Sequence, residues 1–483
     1  MFILNDLYTL MFIVNVGLAM VVIFLERRNI GVTWAWLMVL LFLPAAGFIL
    51  YLIFGQNLSK MKLYKINKRS RQIMSGLISS QQRQLAKDEI EFKDPSMADY
   101  RDMIYMNLTS SSAYYTQNNK VHIFTDGKQK FDSLLETMEA ATDHIHLMYY
   151  IVQNDSLGKQ IVEVLTRKAA EGVQVRFLYD RLGSHRISNK FFQSLIAAGG
   201  QAAAFFPSRI PYLNFRVNYR NHRKLAIIDG KFGYIGGFNI GQEYLGMDRR
   251  FGYWRDTHLL IQGNAVGQMQ AQFLLDWNLA SKKESDLIVS SSLFSAMSDQ
   301  DGMGVQIVAS GPNYPIEHIR NVYIKLISSA KESVYIQTPY FVPDESLLTA
   351  LKMAVLSGVD VRLMIPANPD HKMVYWASYS YLGELLSIGM RCYLYEKGFL
   401  HAKTIVTDGK LASVGTANMD NRSFRLNFEV IAMLYDTGTA GRLRDIFQED
   451  MKHSRELTYA DYQARPRLHK IRESCTRLLS PIL

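Results

Sequence analysis

The sequence predicts an α/β protein of two similar halves, each with helices on the faces of a sheet, preceded by a hydrophobic helical hairpin. Three observations lead to this prediction. A strand–helix–strand pattern occurs twice along the chain, which is typical of parallel or mixed sheets covered by helices. A histidine–lysine motif occurs at the corresponding place in each half. Two long segments without charged residues open the chain.

The opening segments are long enough to cross a bilayer. Residues 7–25 and residues 32–54 contain no Asp, Glu, Lys or Arg. A bilayer core of about 30 Å is crossed by a helix of about 20 apolar residues. We therefore predict a transmembrane two-helix hairpin over residues 1–58. The alternatives are a helical hairpin buried in a soluble core and a hairpin that enters the bilayer without crossing it.

A basic run follows the hairpin and predicts its orientation. Six Lys or Arg residues lie between Lys60 and Arg71, whereas the loop between the two segments offers only Arg27 and Arg28. Positive residues favour the cytoplasmic side, so the large C-terminal part is expected in the cytoplasm. We assign residues 59–109 to a basic juxtamembrane linker. It either attracts an anionic leaflet or is simply a solvated surface.

The overall composition favours an anionic partner. The net charge of +10 is compatible with nucleic acid, a phospholipid surface or a phosphate-containing substrate. The two cysteines, Cys392 and Cys475, exclude a disulfide framework and a C-x-x-C metal site.

The two halves follow one plan. In the first half, a predicted strand at residues 144–152 is followed by an amphipathic helix, Gly172 and a second strand; the second half repeats this order around Gly358. The two glycines are 358 − 172 = 186 residues apart, and the two motif histidines are 401 − 222 = 179 residues apart. This agreement indicates a duplication. We place the domains at residues 110–290 and 291–483, with the boundary in the polar stretch 282–301.

The repeated motif is H-x-K-x-x-x-x-D-x-x-x-x-x-x-G-x-x-N. It supplies His222, Lys224, Asp229 and Asn239 in the first half and His401, Lys403, Asp408 and Asn418 in the second. Residues i and i+2 of an extended segment share a face, so each His projects with its Lys. Each Asp precedes a Gly in a turn and is expected to brace the loop. The small residues before each Asn let backbone N–H groups approach an anion.

A histidine beside a lysine is suited to phosphoryl chemistry. The ammonium lowers the pKa of the imidazole and favours its neutral, nucleophilic form. The same ammonium neutralises the phosphoryl oxygens during transfer. One His can attack phosphorus while a second protonates the departing alkoxide. Two copies facing each other would suffice for phosphodiester chemistry, so we expect neither a metal nor a cofactor.

The twin motifs resemble the paired HKD motifs of the phospholipase D superfamily. Several longer phrases are similar to those of bacterial cardiolipin synthases, as is the hydrophobic hairpin: "RNHRKLAIIDGKFGYIGGFNIGQEYLG" (220–246), "WRDTHLLIQG" (254–263), "IQTPYFVPDE" (336–345) and "NRSFRLNFEV" (421–430). The resemblance covers roughly residues 110–483. It implies two α/β/α halves related by a pseudo-twofold axis, with both motifs at their interface, a phosphatidyl-histidine intermediate and no metal.

The resemblance also implies a role for each motif residue. His222 matches the nucleophile and His401 the general acid/base, although pseudo-symmetry leaves the order of the two histidines open. Lys224 and Lys403 match the lysines that bind phosphate. The remaining supporting residues are Asn239 and Asn418, which stand beside the lysines.

Members of the superfamily also hold each histidine with a carboxylate from a later strand. Glu429 and Asp256 stand at suitable places here, each serving the histidine of the other half, and Glu243 is the alternative to Asp256. Such a carboxylate fixes the imidazole tautomer and stabilises the imidazolium.

Together with the hairpin and the basic run, the resemblance implies an enzyme of the bacterial plasma membrane. It would transfer a phosphatidyl group from one phosphatidylglycerol to another, giving cardiolipin and glycerol. The expected partners are phosphatidylglycerol and anionic membrane lipids, without nucleic acid. The alternatives are a hydrolase of phospholipids or nucleic-acid phosphodiesters and a lipid-binding protein without activity. The basic C-terminal tail from Gln463 onward either lies on the membrane or forms a solvated helix.

Overall fold

The computed structural model describes residues 2–21, 23, 30–43, 46–47, 49–51, 63–64, 66, 68–206, 218–281 and 302–480. Three features of the sequence-based predictions therefore lie wholly or largely outside the described residues. They are the loop that holds Arg27 and Arg28, the first half of the basic run with Lys60, Lys62 and Lys65, and the predicted domain boundary at residues 282–301.

Two helices at the start of the chain pack against each other. In these helices, α1 (Phe2–Val21) and α2 (Ile30–Phe42), the Asn15 amide donates to the Leu40 carbonyl at 3.0 Å. Large apolar side chains such as Ile13 and Trp34 point away from the contact and are more than half exposed. Within the described ranges, none of the helices is long and apolar enough to span a bilayer.

The first half contains a set of strands that alternate with helices. It is preceded by α3 (Lys68–Ala86) and α4 (Arg101–Ser111), and its helices are α5 (Gly127–Glu139), α6 (Ser156–Ala170), α7 (Gln193–Ala197) and α8 (Ala265–Ser281). Its strands are β1 (Thr116–Phe124), β2 (His144–Tyr149), β3 (Gln174–Asp180), β4 (Gln201–Phe205), β5 (Arg220–Asn221), β6 (Leu225–Ile228), β7 (Phe232–Gly236), β8 (Tyr253–Arg255) and β9 (His258–Gly263).

The second half repeats this order and adds elements at its end. Its strands are β10 (Met303–Ser310), β11 (Ser333–Gln337), β12 (Phe341–Val342), β13 (Asp360–Pro366), β14 (Arg391–Tyr395), β15 (Gly398–Leu400), β16 (Thr404–Thr407), β17 (Leu411–Gly415), β18 (Met419–Asp420), β19 (Asn427–Tyr435) and β20 (Ser454–Leu457). Its helices are α9 (His318–Ser329), α10 (Glu345–Leu356), α11 (Lys372–Leu386), α12 (Asn421–Arg425), α13 (Thr437–Met451), α14 (Tyr459–Gln463) and α15 (Arg467–Arg477).

Local sequence signals explain the corresponding helices of the two halves. Asp155 caps α6 by accepting from the Gly158 N–H, and Asp344 caps α10 by accepting from the Leu347 N–H, both at 3.0 Å. The strands that follow these helices end in buried runs because helices cover both faces of the sheet.

Two strand pairs, β12 with β18 and β15 with β8, stand apart, and the other strands of both halves form one mixed sheet. Its order is β20-β14-β13-β11-β16-β17-β19-β10-β1-β9-β7-β6-β2-β3-β4. The parallel set β2-β3-β4 corresponds to β11-β13-β14, and the antiparallel set β6-β7-β9 corresponds to β16-β17-β19. The predicted α/β fold with two related halves is confirmed. The halves join at the centre of the sheet, where β1 pairs with β10.

Candidate active site

Each motif histidine follows a short strand that pairs with the other half. β5 runs parallel to the start of β19, and β15 runs parallel to β8. The His222 N–H donates to the Phe428 carbonyl at 2.9 Å, and the His401 N–H donates to the Arg255 carbonyl at 2.7 Å. In both cases the residue after that carbonyl is acidic. The same backbone construction therefore brings a carboxylate of one half to the histidine of the other.

The imidazole Nδ1 atoms contact these carboxylates. Nδ1 of His222 lies 3.0 Å from Glu429, and Nδ1 of His401 lies 2.7 Å from Oδ2 of Asp256. Both carboxylates are fully buried, whereas about a tenth of each imidazole is exposed. A carboxylate only accepts, so Nδ1 carries the proton and Nε2 is left with its lone pair. Glu243, the sequence-based alternative, lies instead in the 3₁₀ helix Gln242–Leu245.

The two lysines lie beneath the histidines. Nζ of Lys224 donates to the His222 carbonyl at 2.7 Å, and Nζ of Lys403 donates to the His401 carbonyl. Both side chains are almost completely buried. Burial lowers the pKa of Lys224 to about 7, although the charge of the Glu429 carboxylate acts to raise it. Burial likewise lowers the pKa of Lys403 to about 8. The site therefore holds two ammonium groups that are poorly solvated and suited to an anionic ligand.

The histidines are kept neutral near pH 7. Burial is the largest of the causes that lower the pKa of His222. The Glu429 carboxylate raises this pKa, and the Lys224 ammonium lowers it further. Burial and then the Lys403 ammonium lower the pKa of His401 to about 4. The sequence had suggested the neighbouring ammonium as the cause, but removal from water contributes more. A neutral imidazole is the form that can attack phosphorus.

Charges of the two motifs act on each other. The Lys403 ammonium also lowers the pKa of Lys224, whose largest perturbation is burial. The Lys224 ammonium likewise adds to the burial that lowers the pKa of His401. Burial alone would raise the pKa of Glu429, but the charges of His222 and Lys224 hold it below its usual value. Both motifs thus belong to one electrostatic site.

The motif aspartates lie away from the histidines, at tight turns. Asp229 and Asp408 adopt left-handed backbone conformations with φ of 52° and 54°. The Asp229 carboxylate accepts the backbone N–H groups of Thr142, Asp143 and His144, each at 2.9 Å. The Asp408 carboxylate accepts the three N–H groups of residues 331–333 at 2.8–2.9 Å. Each aspartate therefore ties its turn to the start of β2 or β11.

The motif asparagines have different surroundings. Oδ1 of Asn239 accepts from the Ile151 N–H at 3.1 Å, and its Nδ2 donates to the Tyr244 hydroxyl at 3.2 Å. Among the described residues, Oδ1 of Asn418 is buried without a hydrogen-bond partner. Asn239 thus fixes the loop after β2, while Asn418 retains a free acceptor beside its motif.

The two carboxylates are supported in different ways. The Thr416 hydroxyl donates to Glu429 at 2.6 Å. The corresponding residue of the first motif is Gly237, and a Cβ there would lie 2.0 Å from Oδ1 of Asp256. The shorter acid reaches its histidine because a glycine lets its backbone come close. The first motif therefore combines a glycine with an aspartate, and the second motif combines a threonine hydroxyl with a glutamate.

A buried arginine that sequence reasoning missed anchors the strand of Glu429. Arg223 donates to the Glu429 carbonyl at 3.0 Å and to the Ser310 carbonyl at 2.9 Å. It also pairs with Asp276 of α8 at 2.6 Å, where both side chains are fully buried. The arginine lies between His222 and Lys224 in sequence but points away from them. No spacing rule signals its partner, which is 53 residues further along the chain.

Three more residues near the histidines were not predicted. The Tyr150 ring centroid lies 4.8 Å from that of His222, and the Trp254 ring centroid lies 5.3 Å from that of His401. Asp180 accepts from the Asn221 N–H at 2.9 Å. Tyr150 and Asp180 stand at the carboxyl ends of the parallel strands β2 and β3, where ligand sites of α/β proteins occur. That position was a signal that could have found them.

The acidic and imidazole groups do not form a metal site in the part of the chain that the structure describes. No cluster of three or more His, Cys, Asp or Glu residues there has the arrangement of metal ligands.

Comparisons with known proteins agree with this geometry. The family model described as "Cardiolipin synthase, PLD-like domain" matches residues 134–277 and 323–451. A second model, described as "Phospholipase_D-nuclease N-terminal", matches residues 13–56. The chain belongs to the cardiolipin synthase family of the phospholipase D superfamily. The family predicted from the twin motifs is thereby confirmed.

Curated cardiolipin synthases are similar over their whole length. The chain is 51% identical to the major cardiolipin synthase ClsA of Bacillus subtilis over 477 residues, which are 99% of both chains. It is 50% identical to the cardiolipin synthase of Oceanobacillus iheyensis over 474 residues, which are 98% of both chains.

A solved structure shares the fold of the two halves. The phosphatidylserine synthase of Haemophilus influenzae Rd KW20 superimposes with a TM-score of 0.60. The match covers 79% of this cardiolipin synthase family member and 99% of the other chain, at 16% identity. This likeness concerns the fold alone.

The position of Asp229 predicts a structural effect of its removal. Asp229→Ala leaves three backbone N–H groups of the turn without their acceptor, so the free energy of unfolding should fall by about 2 kcal/mol. Urea denaturation of the detergent-solubilised protein measures this change. Asp132→Ala, which removes an exposed carboxylate paired with Lys128, is the control and should change stability by less than about 0.5 kcal/mol. Loss of activity with unchanged stability would show instead that Asp229 acts in catalysis.

Proposed function

We propose that the chain transfers a phosphatidyl group from one phosphatidylglycerol to a second, giving cardiolipin and glycerol. The crossed pairs His222–Glu429 and His401–Asp256 carry this proposal, because they give one site two oriented imidazoles. The lysines Lys224 and Lys403 supply the positive charge that a phosphodiester requires. The bond broken and the bond formed are both phosphodiester bonds, so no activated donor is needed.

In the first step, Nε2 of His222 attacks the phosphorus of the donor lipid. A P–N bond forms and the P–O bond to the glycerol headgroup breaks. His401 is neutral in the free enzyme, so its Nε2 takes a proton from solvent when the phosphodiester anion binds, and the imidazolium gives that proton to the departing glycerol oxygen. The Asp256 carboxylate and the bound phosphodiester anion stabilise that imidazolium. The step leaves a phosphatidyl-histidine and a neutral His401.

In the second step, a glycerol hydroxyl of another phosphatidylglycerol attacks the same phosphorus. The neutral His401 takes the hydroxyl proton, a new P–O bond forms and the P–N bond to His222 breaks. The two ammonium groups neutralise the non-bridging oxygens in both transition states. His401 ends as an imidazolium again and returns that proton to solvent when cardiolipin leaves, which restores the free enzyme.

Transfer to a lipid is favoured over hydrolysis. Water as acceptor would use the same two histidines, so the geometry by itself suits both reactions. The curated relatives at 50–51% identity over nearly the whole chain are named cardiolipin synthases. We therefore do not favour a phospholipase or a nuclease. Domain limits of 110–290 and 291–483 remain part of this proposal.

The N-terminal hairpin would hold the site at a membrane. Large apolar side chains on both helices, including Leu10, Ile13, Trp34 and Phe42, are about half exposed or more. Such a surface is stable when lipid covers it. Together with the predicted orientation, this supports a hairpin in the bacterial plasma membrane with the catalytic halves in the cytoplasm.

The C-terminal helix supports a contact with an anionic bilayer. Leu468 and Ile471 of α15 and the nearby Leu478 recur at helical spacing and are more than half exposed, among several basic residues. This pattern is typical of helices that lie in a membrane interface. The Asn421 amide donates to the Ser480 carbonyl at 3.2 Å, which connects the end of this segment to the motif loop. The fraction of protein that floats with phosphatidylglycerol vesicles measures the contact. It should be smaller for a Leu468→Ser/Ile471→Ser variant than for the unaltered protein.

Purified protein with phosphatidylglycerol should release glycerol and form cardiolipin in equal amounts. His222→Gln and His401→Gln should each lower this rate by about 10⁴-fold or more, because neither displacement proceeds without its nucleophile or its acid/base. Chromatography of the lipid products with a glycerol assay measures both products.

Several results would contradict the assignment. Phosphatidic acid as the main product would indicate a hydrolase. Full activity of either histidine variant would remove that residue from the mechanism. His122→Gln is the matched control, because His122 lies on β1 outside both motifs, and this variant should keep the activity of the unaltered protein.

The pKa values of the lysines predict a basic limb in the pH profile. In the free enzyme, Lys224 with a pKa of about 7 and Lys403 with a pKa of about 8 lose their protons as pH rises. The site then loses the charge that binds the phosphodiester, so kcat/KM should fall by at least about tenfold from pH 7 to pH 9.

Lys224→Arg tests the origin of that limb. A guanidinium keeps its charge over this range, so the fall should begin at higher pH in the variant, even if its maximal rate is lower. Initial rates at low phosphatidylglycerol concentration give kcat/KM. A value that stays constant or rises between pH 7 and pH 9 would exclude the lysines as required cations.

A further inference from the structure

Cardiolipin synthesis places two phosphodiester groups one glycerol apart. The headgroup of the donor phosphatidylglycerol is neutral, but the acceptor brings its own phosphodiester anion. When the acceptor hydroxyl attacks, that second anion lies within a glycerol length of the reacting phosphorus. Two lysines at the motifs serve the reacting group, so the second anion requires further cationic groups nearby.

Two arginines meet beside the first motif. Arg220 lies two residues before His222 in an extended segment, and alternation places both on the same side of it. Arg422 comes from α12 of the other half. Its guanidinium donates to the carbonyl of Asn218 at 3.2 Å, so it reaches the segment that leads into Arg220. Both arginines are half-buried.

Tyr150 connects the arginines to the histidine. Its ring lies against His222, and Nζ of Lys224 is 5.4 Å from the ring centroid. Burial and then the Asp180 charge raise the pKa of the Tyr150 phenol, and the charges of Arg220 and Arg422 oppose this shift. Both guanidinium groups therefore act on the side chain that packs against the motif.

The second motif lacks this pair. The position two residues before His401 is Phe399, whose ring centroid lies 5.9 Å from that of the histidine. The position four residues after Asn239, equivalent to Arg422 after Asn418, is Glu243. The site is thus cationic on the side of the first motif and aromatic on the side of the second. A reaction with one extra anion explains this difference between related halves.

Nearby carboxylates are bound to backbone groups. Asp180 accepts the N–H groups of Leu182, Gly183 and Asn221 at 2.9–3.0 Å. Asp420 caps α12 and accepts from the N–H of the third helical residue at 2.6 Å. Asp180 and Asp420 therefore accept most of their hydrogen bonds from the backbone of their own loops and not from the two arginines.

A buried acceptor lies opposite Arg220. Asn427 is its register partner, and its Nδ2 donates to Glu429 at 3.1 Å. Its Oδ1 is buried without a hydrogen-bond partner in the described part of the chain. An orphaned acceptor beside a catalytic carboxylate is suited to a ligand hydroxyl. Glycerol of an incoming lipid offers such a donor.

We propose that Arg220 and Arg422 bind the phosphodiester of the acceptor phosphatidylglycerol, with Oδ1 of Asn427 accepting a hydrogen bond from its glycerol. This subsite rests on the proposed transfer between two lipids. It selects an anionic lipid over a small neutral alcohol as the second substrate.

Two reactions of the same enzyme separate this role from catalysis. Cardiolipin formation uses an acceptor with a phosphodiester, whereas exchange of radiolabelled free glycerol into phosphatidylglycerol uses an acceptor without one. Arg220→Gln and Arg422→Gln should each lower cardiolipin formation at limiting phosphatidylglycerol by about tenfold or more, which is typical of losing a charge-assisted contact. Glycerol exchange should stay within about twofold, and Arg220→Lys should retain part of the cardiolipin rate.

Control measurements make each outcome decisive. Arg455→Gln changes an exposed arginine of β20 paired with Glu396 and should leave both reactions unchanged. Equal losses in both reactions, or no loss in cardiolipin formation, would overturn the acceptor subsite. If the unaltered protein exchanges glycerol but makes no cardiolipin, the proposed transfer itself fails, and the subsite fails with it for that separate reason.

Discussion

The hydrogen bond between each imidazole and a carboxylate of the opposite half is the constraint on which the site depends. His222 cannot be oriented without Glu429, and His401 cannot be oriented without Asp256, so neither half contains a complete catalytic group. Two short parallel strand pairs, β5 with β19 and β15 with β8, set these contacts through the backbone. The continuous sheet through β1 and β10 then keeps the two halves in register. Duplication and function are connected in the proposed mechanism, where the repeat supplies two nearly equivalent groups to one substrate.

Charge balance explains how the site can be both buried and reactive. Two ammonium groups and two carboxylates lie out of water, where an isolated charge would be very costly. The Asp256 and Glu429 carboxylates therefore stay ionised because the motif cations lie beside them. Burial is the largest of the causes that lower the pKa of Lys224 and of Lys403. A phosphodiester adds the negative charge that these lysines lack. Around this balanced centre the two motifs differ, for example in Gly237 against Thr416 and in the arginines that approach the first motif.

Local patterns allowed much of this molecule to be predicted. Strand–helix alternation indicated two α/β halves, and the identical spacing of His, Lys, Asp and Asn singled out both motifs. The carboxylates Glu429 and Asp256 came from family resemblance, because they are 207 and 145 residues from their histidines and no periodicity connects them. Arg223 was missed because its partner Asp276 lies on a helix 53 residues further along the chain. Tyr150 and Asp180 were missed although their place at the ends of β2 and β3 was a usable signal. The joining of both sheets through β1 and β10 likewise depends on nonlocal contacts, and the membrane hairpin stays a prediction.

A crystal structure with orthovanadate, which mimics pentacoordinate phosphorus, tests the central claim most directly. The account predicts one vanadate in the site, with Nε2 of His222 and Nε2 of His401 on opposite sides of the same vanadium and both Nδ1 atoms still bonded to their carboxylates. The ammonium groups of Lys224 and Lys403 should contact its equatorial oxygens. Vanadate bound at one histidine alone, or two vanadates at separate histidines, would contradict a shared phosphorus.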